Sequence, residues 1–85
     1  MASELARSKV KKLVLERSDS MRISAGAVAD TVKITAFILR RIGFQAASRA
    51  RGFGRRTILE EDIRGALPAV CALSQEEIDK ALGKE

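Results

Sequence analysis

The chain is 85 residues long, enough for one small domain that buries only about 60–65% of the surface its unfolded form exposes, and this excludes a multidomain enzyme. One cysteine and no histidine leave no internal disulfide, no His-containing zinc cluster and no histidine general base. Lys and Arg number 16 against 11 Asp and Glu, a net charge of +5 that favours a polyanionic partner.

The first element is predicted from a cap at Ser3 with Glu4 behind it, because a serine oxygen accepts from an orphan amide and a carboxylate suits the positive end of the helix dipole. Leu5 or Ala6, Val10, Leu13 and Val14 give it one apolar stripe, with Arg7, Lys11 and Lys12 off the stripe, over about four turns. Residues 17–22 are a polar connection. From Ser24 to about Ala50 the helical period holds without interruption, roughly 39 Å of helix. Val28, Val32, Thr35, Leu39, Ile42, Ala46 and Ala50 form one stripe, and Ile34, Phe37, Ile38 and Phe44 an adjoining one. A helix apolar on so wide an arc is buried on more than one side, and the short flanking segments cannot cover it in a monomer. An intertwined dimer follows, with Val28, Val32, Leu39 and Ile42 at the interface.

Gly52 and Gly54 bracket Phe53 and end the long helix. Thr57 and Glu60 then have the spacing of a capping box, which predicts a third helix over 58–67 that Pro68 ends or bends. A second box, Ser74 with Glu77, predicts a fourth helix near 75–83. The division expected is a domain at 1–68 and a C-terminal helical extension at 69–85. That extension carries Val70, Leu73, Ile78 and Leu82, an apolar surface that needs its own domain or a second dimer to cover it. Nothing between residues 3 and 64 alternates as a strand would, so the fold class is all-α.

Charge is segregated along the chain: residues 1–56 hold 13 Lys/Arg against 4 Asp/Glu and residues 57–85 hold 3 against 7, giving +9 and −4. The only aromatics are Phe37, Phe44 and Phe53, a poor set for stacking single-stranded bases. No apolar stretch approaches the ~20 residues of a spanning helix, and the N-terminal segment lacks a signal peptide's apolar core. The expectation is a soluble, cytoplasmic protein without membrane contact, and the lone thiol of Cys71 fits a reducing compartment.

The order of short helix, loop, long helix, loop and short helix resembles the histone fold. Arg22-Ile-Ser24 is similar to the Arg-Val-Ser of the first histone loop. Gly54-Arg-Arg-Thr-Ile-Leu-Glu-Glu-Asp-Ile63 is similar to the Gly-Arg-Lys-Thr-Ile-x-x-Glu-Asp-Ile of archaeal histones. The resemblance covers about residues 8–67; the fourth helix lies outside the minimal pattern. It implies that Arg22 enters the minor groove of DNA, where a cation gains from the negative potential without reading much sequence. Ser24, with the amides of the helix start, is suited to a phosphate. It further implies that Arg55 pairs with Asp62 as a clamp on the second loop, leaving Arg56 and Thr57 as the better phosphate contacts, with Arg55 beside them. Lys9, Lys11 and Lys12, together with Arg7, are a third contact by the same resemblance, or else a solubilising face. Arg40, Arg41, Arg49 and Arg51 are ambiguous, since cations near a helix end also complement its dipole.

Two departures from the archaeal pattern stand out. Positions that form the contact between dimers in stacking histones are here Gly52, Arg49 and Gly65, so end-to-end polymerisation is not expected. The fourth helix resembles that of bacterial and archaeal histones that form face-to-face tetramers. The function implied is that of a nucleoid-associated architectural protein, a homodimer or homotetramer that binds the duplex backbone with little sequence preference and bends, wraps or compacts it. No catalytic residue, cofactor, metal or small-molecule substrate is expected: Glu60, Glu61 and Asp62 are accounted for by the helix dipole and cap. The alternative is a histone-fold heterodimerisation subunit of a transcription or chromosome-segregation complex.

Overall fold

In a computed structural model, which describes residues 5–83, local capping chemistry divides the chain into four helices and, among the described residues, no strand: α1 (Arg7–Leu15), α2 (Ala25–Gly52), α3 (Glu60–Cys71) and α4 (Gln75–Leu82). Ser24 starts α2 from an extended backbone, its hydroxyl accepting from the Ala27 N–H at 3.1 Å and its carbonyl from the Val28 N–H at 3.0 Å. At 28 residues α2 is about 42 Å long and sets the longest dimension of the molecule, 46 Å. Its end is a Schellman motif: Gly54 takes φ +73° and donates to Arg51 O at 2.9 Å, and Arg55 N–H reaches back to Ala50 O at 2.9 Å. Gly52 remains inside the helix, so Gly54 is the glycine whose conformational freedom the turn needs.

Three boundaries differ from the sequence-based expectation. α1 is nine residues rather than four turns, with Ala6 at its N-cap and no side chain satisfying the first amides; Ser3 and Glu4 lie outside the described residues. It stops at Leu15, whose carbonyl takes the Ser18 hydroxyl at 2.9 Å before Asp19 and Ser20 turn left-handed. α3 starts at Glu60, with Leu59 as N-cap, and not from a box at Thr57. The carboxylate that reaches back is Asp62, accepting from the Leu59 N–H at 2.8 Å. α3 also runs through Pro68 to Cys71 rather than ending near 67. Proline's φ fits a helix, and the bond it cannot donate would have gone to Arg64. Both residues are exposed, so that carbonyl lies on the water side, while Val70 is buried and holds the last turn. α4 has both halves of its box, Ser74 Oγ accepting from Glu77 N–H at 3.2 Å and Ser74 N–H donating to Glu77 Oε1 at 3.1 Å, and ends on a left-handed Gly83.

Every other helix contacts α2, and those three do not contact one another. The centre of the core is Ala46, Ala66 and Val70, with Ile38, Ile42 and Ile63 packed around it where α2 meets α3. Among the described residues the buried apolar side chains are all alanine or valine, whereas Leu13 (59% exposed), Leu39 (51%) and Phe44 (67%) face water. The single chain already covers part of the set expected at the interface. Val28, Val32 and Val70 are buried within the single chain; Ile42, Leu73, Ile78 and Leu82 are half-covered by it; Leu39 is left open.

Because Pro68 lies in an exposed helix interior, Pro68→Ala is expected to stabilise the protein by about 1–3 kcal/mol by restoring a donor and relieving the ring's clash with the preceding turn. Urea denaturation at fixed protein concentration measures this; an unchanged or lowered midpoint would mean that the helix does not continue through Pro68.

Candidate nucleic-acid interface

Cations collect at the two ends of α2. At its start, Arg7, Ser8 and Lys11 of α1 line a shallow groove of about 290 Å³ with Ile23, Ala25 and Val28. Arg7 and Lys11, four residues apart, share that face of α1. Lys9, ~160–200° round the helix from them, points elsewhere, and Lys12 lies between the two directions. The four α1 cations, all exposed, therefore do not act as one patch. Arg22 is exposed in the loop just before the groove, with the half-buried Ile23 anchoring the chain beneath it. Ser24 uses its hydroxyl oxygen as an acceptor for the Ala27 N–H, which leaves the hydroxyl hydrogen without an acceptor among the described residues.

At the far end, Arg51, Arg55 and Arg56 line a cleft of about 350 Å³ floored by Ala47, Ala50 and Ile58. The three arginines have different tasks. Arg55 is delivered by the Schellman turn to face the first turn of α3. Its Nη1 donates to Asp62 Oδ2 at 2.6 Å and its Nη2 to Asp62 Oδ1 at 3.0 Å, with further bonds to Glu61 Oε2 at 3.1 Å and Thr57 O at 3.3 Å. Its guanidinium also sits 5.4 Å from the centroid of the Phe53 ring. Arg55, counted among the phosphate contacts from the sequence, is thus committed to acidic partners. Arg51 and Arg56 are exposed and pair with no acid among the described residues. Thr57 is exposed and does not cap α3, so its hydroxyl is not spent there.

Asp62 is fully buried and carries the electrostatics of this corner. The Arg55 guanidinium, then the Leu59 N–H, hold its carboxyl down from an ordinary 3.8 to about 2, against the opposing effect of burial; Arg49 adds to the lowering. Arg55 is raised by the same contact. Arg49 reaches this corner by lying across Gly65, where a Cβ on α3 would collide with its guanidinium. The interior glycine of a helix was the one available signal of that close approach. A second cross-helix pair, Arg41 with Glu77, ties α4 to α2 and had no local signature. Arg51 as a wall of the cleft was likewise not distinguishable from a dipole-complementing cation.

Arg22 and Arg56 are not brought together within one chain, because they stand at opposite ends of α2. Among the described residues no three His, Cys, Asp or Glu side chains gather as a metal site would require. No helix among them is long and apolar enough to cross a membrane.

The depressed Asp62 value has a definite sign. The unfolded carboxyl binds a proton more readily than the folded one, so its contribution is complete above about 3.8 and is lost as pH falls toward about 2. Asp62→Asn is accordingly expected to lower the melting temperature by several degrees near neutrality, with the gap to the parent protein closing between pH 4 and 2 (roughly that window). Melting curves across that range check it; a constant gap would exclude the Arg55–Asp62 pair as its source.

No protein-family model matches the chain, and no curated protein or solved structure is similar enough to it to count as a match.

Proposed function

We propose that this chain is a histone-fold, non-enzymatic architectural protein that binds double-stranded DNA through backbone phosphates, with little sequence preference, as an intertwined homodimer associated with the nucleoid. The observation that carries the reading is the pair of cationic loops at the two ends of α2. Each is built by a cap that leaves one exposed arginine without an acidic partner among the described residues: Arg22 before Ser24, and Arg56 beside the clamped Arg55. The two loops stand apart by about the length of α2, ~42 Å, comparable with the ~34 Å of one duplex turn, so one particle can meet successive grooves. Phosphate contact at both suits a basic protein with no stacking platform.

The dimer is supported by what the single chain fails to cover. Leu39 and Phe44, five residues apart, lie ~140° round α2 from each other, and both are more than half exposed. Leu13 and Val14 of α1 are exposed too. A core of alanines and valines with leucine and phenylalanine outside is the pattern expected of half a folded unit. Two α2 helices crossing antiparallel would cover both sides and set the Arg22 end of one copy beside the Arg56 end of the other. α4 contacts α2 of its own chain, which favours the dimer over a face-to-face tetramer.

Binding of a random-sequence duplex of ~60 base pairs across a salt series tests the proposal, with the mass of the free protein measured alongside. Log K should fall by ~0.9 per log unit of salt for each phosphate neutralised. Arg22→Ala with Arg56→Ala should weaken binding to unrelated sequences and flatten that slope by ~0.9 for each phosphate that is no longer neutralised. Unchanged affinity and slope would refute the assignment of these two residues. A well-folded oligomer that ignores DNA at low salt would instead point to an interaction subunit.

A further inference from the structure

The middle of α2 presents a self-association problem that α4 is placed to solve. The midpoint of α2 (Ala25–Gly52) falls between Ile38 and Leu39, and Arg40 and Arg41 follow immediately. There Phe37, Arg40, Arg41, Phe44 and Gln45 line an open groove of about 360 Å³. When two identical helices cross near their midpoints about a two-fold axis, residues close to the midpoint approach their own counterparts. Two copies of Arg41 then bring like charges together in a partly desolvated place, where such juxtaposition is costly.

We propose that Glu77 is a built-in counter-ion for this crossing: α4 neutralises Arg41 within each chain so that two α2 helices can meet. This rests on the homodimer reading above and adds to it the role of α4. Arg41 donates from Nη1 to Glu77 Oε2, and the two side chains are 26% and 33% exposed, close enough to the open groove to affect what docks there. Glu77 is held for the task from its own side. Its other oxygen, Oε1, accepts from the Ser74 N–H at 3.1 Å, so the capping box that starts α4 also orients the carboxylate toward α2. That amide and the bond to Arg41 keep the carboxyl below its ordinary range. The Nε of the same guanidinium is buried with no acceptor among the described residues, so Glu77 supplies the acid that this group meets within the chain. α4 is otherwise held lightly: none of its residues is fully buried, and a three-residue connection, 72–74, tethers it to within about 14 Å of the end of α3.

The inference is tested on the full chain by the dimer dissociation constant, from sedimentation equilibrium, in low salt and in ~1 M salt, where the Debye length falls to ~3 Å. Glu77→Gln keeps a side chain able to complete the Ser74 box, so α4 should persist, and its helicity is checked by circular dichroism. At low salt this variant is expected to dimerise roughly tenfold more weakly than the parent, and the deficit should shrink to less than about threefold at high salt. Arg41→Gln in the Glu77→Gln background should restore parental affinity, and Glu76→Gln, an exposed neighbour without the Arg41 contact, should change little. Equal dimerisation of parent and Glu77→Gln at low salt would overturn the counter-ion role. A weakness relieved neither by salt nor by the second substitution would also overturn it, assigning Glu77 to the folding of α4 alone. A parent protein that stays monomeric at every concentration would instead overturn the homodimer on which the inference stands.

Discussion

The buried carboxylate of Asp62 is the constraint around which the rest of the molecule is arranged. An ionised group out of water is tolerable only when its lone pairs are occupied, and here Arg55 takes both oxygens while the Leu59 N–H takes a further position on one of them. Each of those donors belongs to a different piece of chain. Arg55 comes off the Schellman turn that closes α2, and Leu59 is the N-cap of α3. One carboxylate therefore joins the end of the long helix, the loop and the start of the next helix, beside the core where Ala66 and Val70 meet Ala46.

The same constraint separates two adjacent arginines of equal charge. Arg55 turns inward to Asp62, with the Phe53 ring near its guanidinium, while Arg56 stays in water beside Arg51. A clamp and an exposed cation side by side make a loop that is ordered and still open to water. At the other end of α2, Ser24 does a lighter version of the same work. It orders the start of the helix by one side-chain bond and leaves Arg22 outside it.

What the chain covers and what it leaves open are equally informative. Seven small residues make the buried apolar set among the described residues, and the larger Leu39 and Phe44 of α2 stay more than half exposed. α1 is too short to cover one side, and α4 covers part of another through half-buried Ile78 and Leu82 and the Arg41–Glu77 pair. The oligomeric reading and the role inferred for Glu77 both grow from that shortage of covering surface, which is the usual situation of a chain this small.

Residue order alone determined the elements whose signals are local. Ser24, Gly54 and the Ser74–Glu77 box act over two to five residues, so the starts of α2 and α4 and the close of α2 were legible from composition and spacing. The two ends of α3 were not. Thr57 with Glu60 and Leu59 with Asp62 offer competing carboxylates at the same spacing, and the choice between them was made by Arg55, which binds Asp62 from outside the helix. Pro68 has the ordinary meaning of a helix stop until Val70, buried against α2, holds the turn beyond it. Tertiary structure also decided which arginine is spent and which is exposed, that Arg49 lies across Gly65, and that Arg41 finds Glu77 36 residues away. Those pairings depend on how helices meet, and a charge on a helix surface carries no mark of the neighbour it will face.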